Sequence, residues 1–329
     1  MILVLGGAGY IGSHAVKMLI ENGESVVVVD NLETGHKASL HEEAKFYNVD
    51  IRDEASFETV FKENEIESVI HFSANSLVGE SVNLPIKYFE NNVAGAVNVL
   101  KLMNKYDVKK IVFSSTAAVY GEPKVIPITE ESATEPTNPY GESKLMMEKM
   151  FKWADLAHGI RFVSLRYFNV AGADASGKIG EAHGVETHLI PLVLQVPLGQ
   201  REFITIFGDD YPTKDGTCIR DYIHVTDLID AHMKALDYLR AGNGSEIFNL
   251  GSGDGFSVLE IIEVARKVTG HPIPSKMAER RPGDPSTLIA SSKKAESILK
   301  WQPKYTQVET IIKDAWNWHK NHPNGFRNN

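Results

Sequence analysis

The sequence predicts an α/β protein: a doubly wound parallel sheet followed by a smaller α/β domain. Three observations carry this. Short apolar, β-branched runs alternate with helical stretches from Ile2 to Arg166. The first run opens directly into glycines at Gly6, Gly9 and Gly12. After Asn169 the rhythm gives way to loops rich in Gly, Asp and Pro.

Taken in order, Ile2–Leu5 reads as a short buried strand, and Tyr10–Asn22 as a helix stopped by Gly23. Val26–Val29 is a second strand closed by Asp30, and Phe46–Val49 a third ending at Asp50. Val69–Phe72 follows a helical stretch. A long helix spans Ile86–Tyr106 and leads to the strand Lys110–Ser115. Tyr140–Leu156 is helical, and Arg161–Arg166 returns as a strand. Later helices fall near Val225–Arg240, Val258–Thr269 and Gln307–His319. The predicted boundary lies near residue 170, giving domains 1–170 and 171–329, with 225–250 as a candidate return to the sheet through Ile247–Leu250.

At 329 residues the chain has room for two domains of roughly 150 residues each. A net charge of -9 argues against a nucleic-acid partner held by a general basic field. Cys218 is the only cysteine, which excludes an internal disulfide and fits a reducing cytoplasm. The apolar stretch from Met1 to Ile20 is not read as a signal peptide: no basic region precedes it, and His14 and Lys17 interrupt it. No other segment reads as a membrane span.

The glycine run joins strand to helix, the setting in which it binds a dinucleotide. Gly6 permits a tight turn, Gly9 lets the backbone approach a pyrophosphate, and Gly12 lets the helix pack closely. The helix start at Tyr10 and Ile11 offers free N–H groups and a positive dipole end. Asp30, at the end of strand two, can accept from both ribose hydroxyls and would repel a 2′-phosphate, so NAD is favoured over NADP. The rival role for Asp30 and Asn31 is to cap a turn. Asp50 and Ile51 are candidates to flank the adenine; Phe72, Ser73 and Asn91 are candidates for the nicotinamide side. This is the Rossmann pattern.

Tyr140 and Lys144 stand one helical turn apart and share a face. A tyrosine pKa of about 10 makes a poor base at neutral pH. A cation about 4 Å away supplies on the order of 4 kcal/mol at an effective dielectric of 20, about what a three-unit drop requires. Lys144 and an oxidised nicotinamide would together make Tyr140 a usable base. Thr116, after Ser114-Ser115, would donate to the reacting hydroxyl or relay its proton.

These motifs resemble the extended short-chain dehydrogenase/reductases and, within them, the UDP-glucose 4-epimerase family. The resemblance runs nearly end to end: Gly6 to His14, Phe113 to Gly121, Asn138 to Gly141, Arg166 to Asn169 and Asp215 to Val225. It implies retained NAD, a homodimer, and a role in galactose metabolism. It implies oxidation at C4 of a UDP-hexose with Tyr140 as base, then hydride return to the other face. Ser114, Tyr167 and Phe168 join the implied cofactor set. Arg220, Arg281 and Asn169 are implied at the diphosphate, and Phe207, Tyr222 and Asp284 around the uridine. His188, Leu189 and Thr205 complete the implied substrate set. For Arg220 the rival role is an ion pair with Asp221 or Asp227; for Arg281 it is a solvated side chain beside Arg280.

Departures from the family pattern are informative. Thr116 stands where serine is usual. Ser76 stands where some relatives place a lysine near the NAD phosphates. His188 replaces an asparagine near the substrate diphosphate. Leu288 occupies the position gating the sugar pocket, where a tyrosine excludes N-acetylated sugars, so turnover of UDP-GlcNAc and UDP-GalNAc is expected. A 4,6-dehydratase would carry Asp-Glu after the threonine; here Ala117-Ala118 cannot move protons. A uronate-processing enzyme is disfavoured by the 215–225 segment, and a non-catalytic NAD sensor by the retained Tyr-Lys pair. His183 and His188 lack the helical spacing of a metal pair, so no metal is expected. The Ile86–Tyr106 and Tyr140–Leu156 helices are candidates to pair across a dimer axis.

Overall fold

Ile2–Leu5 (β1) and Val26–Asp30 (β2) are buried at every residue. Strands covered on both faces show continuous apolar runs, not alternation. The computed structural model describes residues 1–281 and 284–326. Further strands are β3 (Lys45–Asn48), β4 (Ser68–His71), β5 (Lys110–Ser114), β6 (Arg161–Tyr167) and β7 (Asn169–Ala171). They continue with β8 (Ile204–Phe207), β9 (Ile219–His224), β10 (Glu246–Leu250), β11 (Gly255–Ser257), β12 (Ser275–Ala278) and β13 (Thr287–Leu288). A seven-stranded parallel sheet runs β10-β6-β5-β4-β1-β2-β3.

The helices are α1 (Tyr10–Glu21), α2 (Glu54–Glu63), α3 (Val78–Asn83), α4 (Pro85–Tyr88), α5 (Gly95–Lys105) and α6 (Pro139–His158). Later come α7 (Leu189–Leu194), α8 (Val225–Arg240), α9 (Val258–Thr269), α10 (Lys293–Ile298) and α11 (Val308–Asn321). One face of the sheet packs on α1 and α8, through Val16, Leu19, Leu228 and Ala235. The other packs on α2, α5 and α6, through Phe57, Val99, Met147 and Phe151. A third core joins α7, α9 and α11 to β8 and β9.

One sequence expectation shifts. The single helix expected over Ile86–Tyr106 is α4, a π-helical segment at Phe89–Ala94, and α5. There the Asn92 amide donates to Asn75 O at 3.1 Å and Ser143 Oγ at 2.9 Å, tying the segment to α6. α8 covers the large sheet, and β10 pairs in parallel with β6 at its edge.

Outside that sheet, β9 pairs with β7, β11 and β13, and β8 pairs with β12. The β7–β9 register sets Asn169 opposite Tyr222, at the join between the large sheet and the rest of the chain.

Candidate functional site

The turn after β1 is built for close approach. Gly6 has φ +76°, and a Cβ there would meet Ser73 N at 2.7 Å. A Cβ on Gly12 would stand 2.1 Å from Gly6 O, so only glycine lets α1 start this close to the loop. Its N-cap, Gly9, brings no side-chain cap, and the first turn carries no acidic residue. The first N–H groups of α1 therefore face a cradle suited to an anion. Tyr10 anchors the turn by donating its hydroxyl to Gly172 O at 2.7 Å, and Ile11 packs on the sheet core.

Asp30 accepts from Ala8 N at 3.0 Å and Leu32 N at 2.8 Å. Burial pushes its carboxyl up, and these backbone bonds oppose the push. The rival turn role of Asp30 is thus real, but each carboxylate oxygen keeps a lone pair for a ribose hydroxyl. Asn31 donates to Asp50 Oδ2 at 2.9 Å, and Arg52 Nε donates to Asp50 Oδ1 at 2.9 Å. Those bonds hold the Asp50 carboxyl well below the carboxylate range. Ile51 is buried beneath Gly95. Phe72 lies 4.9 Å from the His232 ring, and Asn91 donates to Asn92 Oδ1 at 3.0 Å.

α6 begins at Pro139, with Asn138 accepting from Gly141 N at 2.9 Å, and this cap aims Tyr140 back toward β5. The Thr116 side chain acts on the Tyr140 hydroxyl, drawing its pKa down against burial. Thr116 Oγ1 also accepts from Ala118 N at 3.1 Å. Lys144 is buried; its Nζ donates to Ser114 O at 2.8 Å and sits 6.0 Å from the Tyr140 ring centre. Ser114 Oγ pairs with His232 Nε2 at 2.9 Å, and Tyr167 also reaches Ser114.

The electrostatics describe the pair with no nicotinamide beside it. Burial raises the Tyr140 pKa, and the Thr116 side chain opposes the rise. Burial also brings Lys144 down to about 7, against the pull of Glu148. Lys144 alone does not make Tyr140 a base at neutral pH.

On the substrate side, Asn169 donates to Asp221 O at 3.2 Å. Arg220 pairs with Asp284, not with the Asp221 or Asp227 considered from sequence. Asp221 instead accepts from Ser252 N at 2.7 Å and Ala290 N at 3.1 Å, while Asp227 accepts from Lys304 N and Tyr305 N. The Arg281 guanidinium lies 4.1 Å over the Phe207 ring and the residue stays exposed, so stacking accompanies the solvated role considered from sequence. Thr205 faces Lys276 in the β8–β12 pair, Tyr222 is buried in β9, and Leu189 packs into the third core. Phe168 and Leu288 both pack on Val119, Tyr120, Ile128 and Leu145, next to Thr116 in sequence and fold.

Sequence reasoning missed a buried network. Arg166 donates through Nε to Glu148 Oε1 at 2.9 Å, and Ser115 Oγ donates to the same oxygen at 2.6 Å. Arg166 also donates to Tyr120 Oη at 2.9 Å, which donates to Asn249 at 2.6 Å. Glu148 is one turn beyond Lys144, and that spacing was the available signal. His188 is likewise drawn into company: its Nδ1 contacts Glu181, and Glu181 and Glu186 raise its pKa to about 9. A loop, not a helix, brings His183 and His188 together.

A dinucleotide turn, an uncapped helix start and a Tyr-Lys-Thr set at the end of β5 define an NAD-dependent short-chain enzyme acting on an alcohol. A model of the NAD dependent epimerase/dehydratase family matches residues 2–251, and the chain belongs to that family. Within it, the chain groups with the UDP-glucose 4-epimerases. It is 62% identical over 325 residues to a UDP-glucose 4-epimerase of Halalkalibacterium halodurans, covering 99% of this chain and 97% of the relative. A crystal structure of UDP-glucose 4-epimerase matches it with a TM-score of 0.98 at 58% identity, covering 99% of both chains. A third, from Bifidobacterium longum in complex with NAD+ and UDP, gives 0.93 at 43% identity, again over 99% of both.

Proposed function

We propose that this chain interconverts UDP-glucose and UDP-galactose through transient oxidation at C4, using bound NAD. The observation that carries the reading is the buried Lys144, held by Ser114 O one turn beyond Tyr140, in a chain this similar to UDP-glucose 4-epimerases.

The residues fit the cofactor. The Gly6–Gly12 cradle excludes a side chain where a pyrophosphate would lie, and the buried Asp30 carboxylate suits free ribose hydroxyls over a 2′-phosphate. When bound, NAD supplies a hydride acceptor facing C4 and a positive ring near Tyr140. Tyr140 Oη takes the O4 proton and returns it, and Thr116 shares it by hydrogen bond. Lys144 adds positive charge from below, held by Ser114 O. Arg220, Arg281 and Asn169 grip the diphosphate; Phe207, Tyr222 and Asp284 surround the uridine. The smooth apolar wall of Phe168 and Leu288 offers the sugar few fixed bonds, so the 4-keto ring can present its other face.

Leu288 leaves room for an acetamido group, so UDP-GlcNAc and UDP-GalNAc are a second substrate pair. Residues 1–170 with 225–250 form the cofactor half, and the remainder forms the UDP-sugar half. The chain works as a homodimer. α6 exposes Trp153 (71%) and Leu156 (69%), with Met146 and Val97 of α5 also open, and large apolar side chains at that exposure call for a partner. No helix among the described residues is long and apolar enough to cross a membrane. A lone free Cys218 fits a cytoplasmic enzyme.

The test is incubation of purified protein with UDP-galactose and no added NAD, followed by NMR of the sugar. Appearance of UDP-glucose is expected. No product even after NAD is supplied would reject the substrate.

A further inference from the structure

We propose that Glu181, His183, Glu186 and His188 bind one divalent metal ion of the zinc type, which clasps the loop before α7 between the cofactor half and the C-terminal helix. The site is separate from the Tyr140 chemistry and does not depend on it.

Each of the four residues offers one ligand atom, and all these atoms lie within 4.8 Å of one another. His183 Nδ1 is 3.3 Å from Glu181 Oε1 and 3.4 Å from Glu186 Oε2. His188 Nδ1 is 3.8 Å from Glu186 Oε1 and in contact with Glu181 Oε1. Tetrahedral zinc at about 2.0–2.1 Å from each donor sets donors about 3.3–3.4 Å apart. The two His183 spacings match that edge; the His188 spacing, to the other Glu186 oxygen, is wider. The His188–Glu181 contact must open, and spacings wider than the tetrahedral edge must close.

The charge also fits. Glu181 is 3% exposed and Glu186 9%. Their ion-pair partners among the described residues are these histidines. A metal that displaces the imidazole protons would face two negative charges in a half-closed site, and one divalent ion cancels them. A mixed set of two nitrogens and two carboxylates suits zinc and its neighbours; calcium and magnesium prefer oxygen alone.

The surroundings hold the ligands in place, as outer contacts do in metal sites. Trp318 Nε1 donates to Glu181 O at 2.9 Å from α11. His36 Nε2 is 2.8 Å from Ala182 O, reaching over from the cofactor half. The Tyr10 ring meets His183 edge-on at 6.5 Å. The loop thus touches the dinucleotide turn on one side and leads into α7 on the other.

The experiment uses untagged, full-length protein stripped with a chelator, then given Zn²⁺ alone. Bound zinc is measured by atomic emission and stability by calorimetry. One zinc per chain is expected, with Tm raised by about 5 °C at saturating zinc. Both effects should vanish in the double variant His183→Ala/His188→Ala and in Glu181→Gln, checked for fold by circular dichroism. Co²⁺ substitution should give the visible absorption of a tetrahedral site. If the wild type takes up no stoichiometric zinc and its Tm does not move, the cluster is a set of His–Glu ion pairs. Undiminished zinc in the double variant would place the metal elsewhere and equally overturn the assignment.

Discussion

Glu148→Gln tests the hidden support of the catalytic helix. The Glu148 side chain is 3% exposed and its partner Arg166 5%. Three donors converge on it: Arg166 Nε at 2.9 Å, Arg166 Nη2 at 2.5 Å and Ser115 Oγ at 2.6 Å. The amide keeps an acceptor but removes the charge, leaving the guanidinium against an NH₂ group. Stranding one partner of a buried pair costs about 3–5 kcal/mol. That is a large share of the about 5–15 kcal/mol by which domains are stable, and corresponds to a Tm drop on the order of 10 °C. The same charge raises the Lys144 pKa, so its loss should take Lys144 below its present value of about 7. Urea unfolding reads the stability, and kcat against pH reads Lys144. The double variant Glu148→Leu/Arg166→Met removes both charges and should lose less stability than Glu148→Gln. A single variant within about 1 kcal/mol of wild type, with an unmoved pH profile, would refute the reasoning.

Gly12→Ala would drive a methyl 2.1 Å from Gly6 O, about 1.3 Å inside the 3.4 Å at which ordinary contact begins. If α1 recoils and loses two charge-assisted bonds, NAD binding should weaken about 100-fold, read by calorimetry and by cofactor content after purification. Lys144 supplies a pH signature in cofactor-free protein. Its folded pKa, about 7, lies below the unfolded value of 10.5, so the unfolded chain binds the extra proton between them. Its contribution is therefore fully present above the unfolded pKa and lost as pH falls through 7. The stability of wild type relative to Lys144→Met should rise by about 1.4 kcal/mol per pH unit across that window; a flat difference would deny the burial. Leu288→Tyr should suppress turnover of UDP-GlcNAc while sparing UDP-glucose, and equal loss on both would reject the gate.

The cofactor half was legible because its signals are local. Val26–Asp30 announces a strand covered on both faces, and Gly6, Gly9 and Gly12 need only their neighbours to be understood. The pairing of β8 with β12 joins Ile204 to Ser275, and β13 is two residues long; neither periodicity nor turn chemistry reports such contacts. For the site, the helical spacing of Tyr140 and Lys144 was readable, but not that Lys144 would be buried against Ser114 O. Arg220 was given partners near in sequence, whereas its ion pair is with Asp284, on a loop from elsewhere. The gathering of His183 and His188 on Glu181 escaped for the same reason, since a loop can do what the helical rule was asked to find.

The central claim is that one site removes and restores the hydrogen on C4, with Tyr140 handling only the hydroxyl proton. Deuterium placed on C4 of UDP-galactose tests it directly, with NMR following the label in ordinary water. The account predicts that UDP-glucose forms with the deuterium still on C4, and that Tyr140→Phe slows this by about 10²–10⁴-fold. Loss of the label to solvent, or full rate without the Tyr140 hydroxyl, would contradict it.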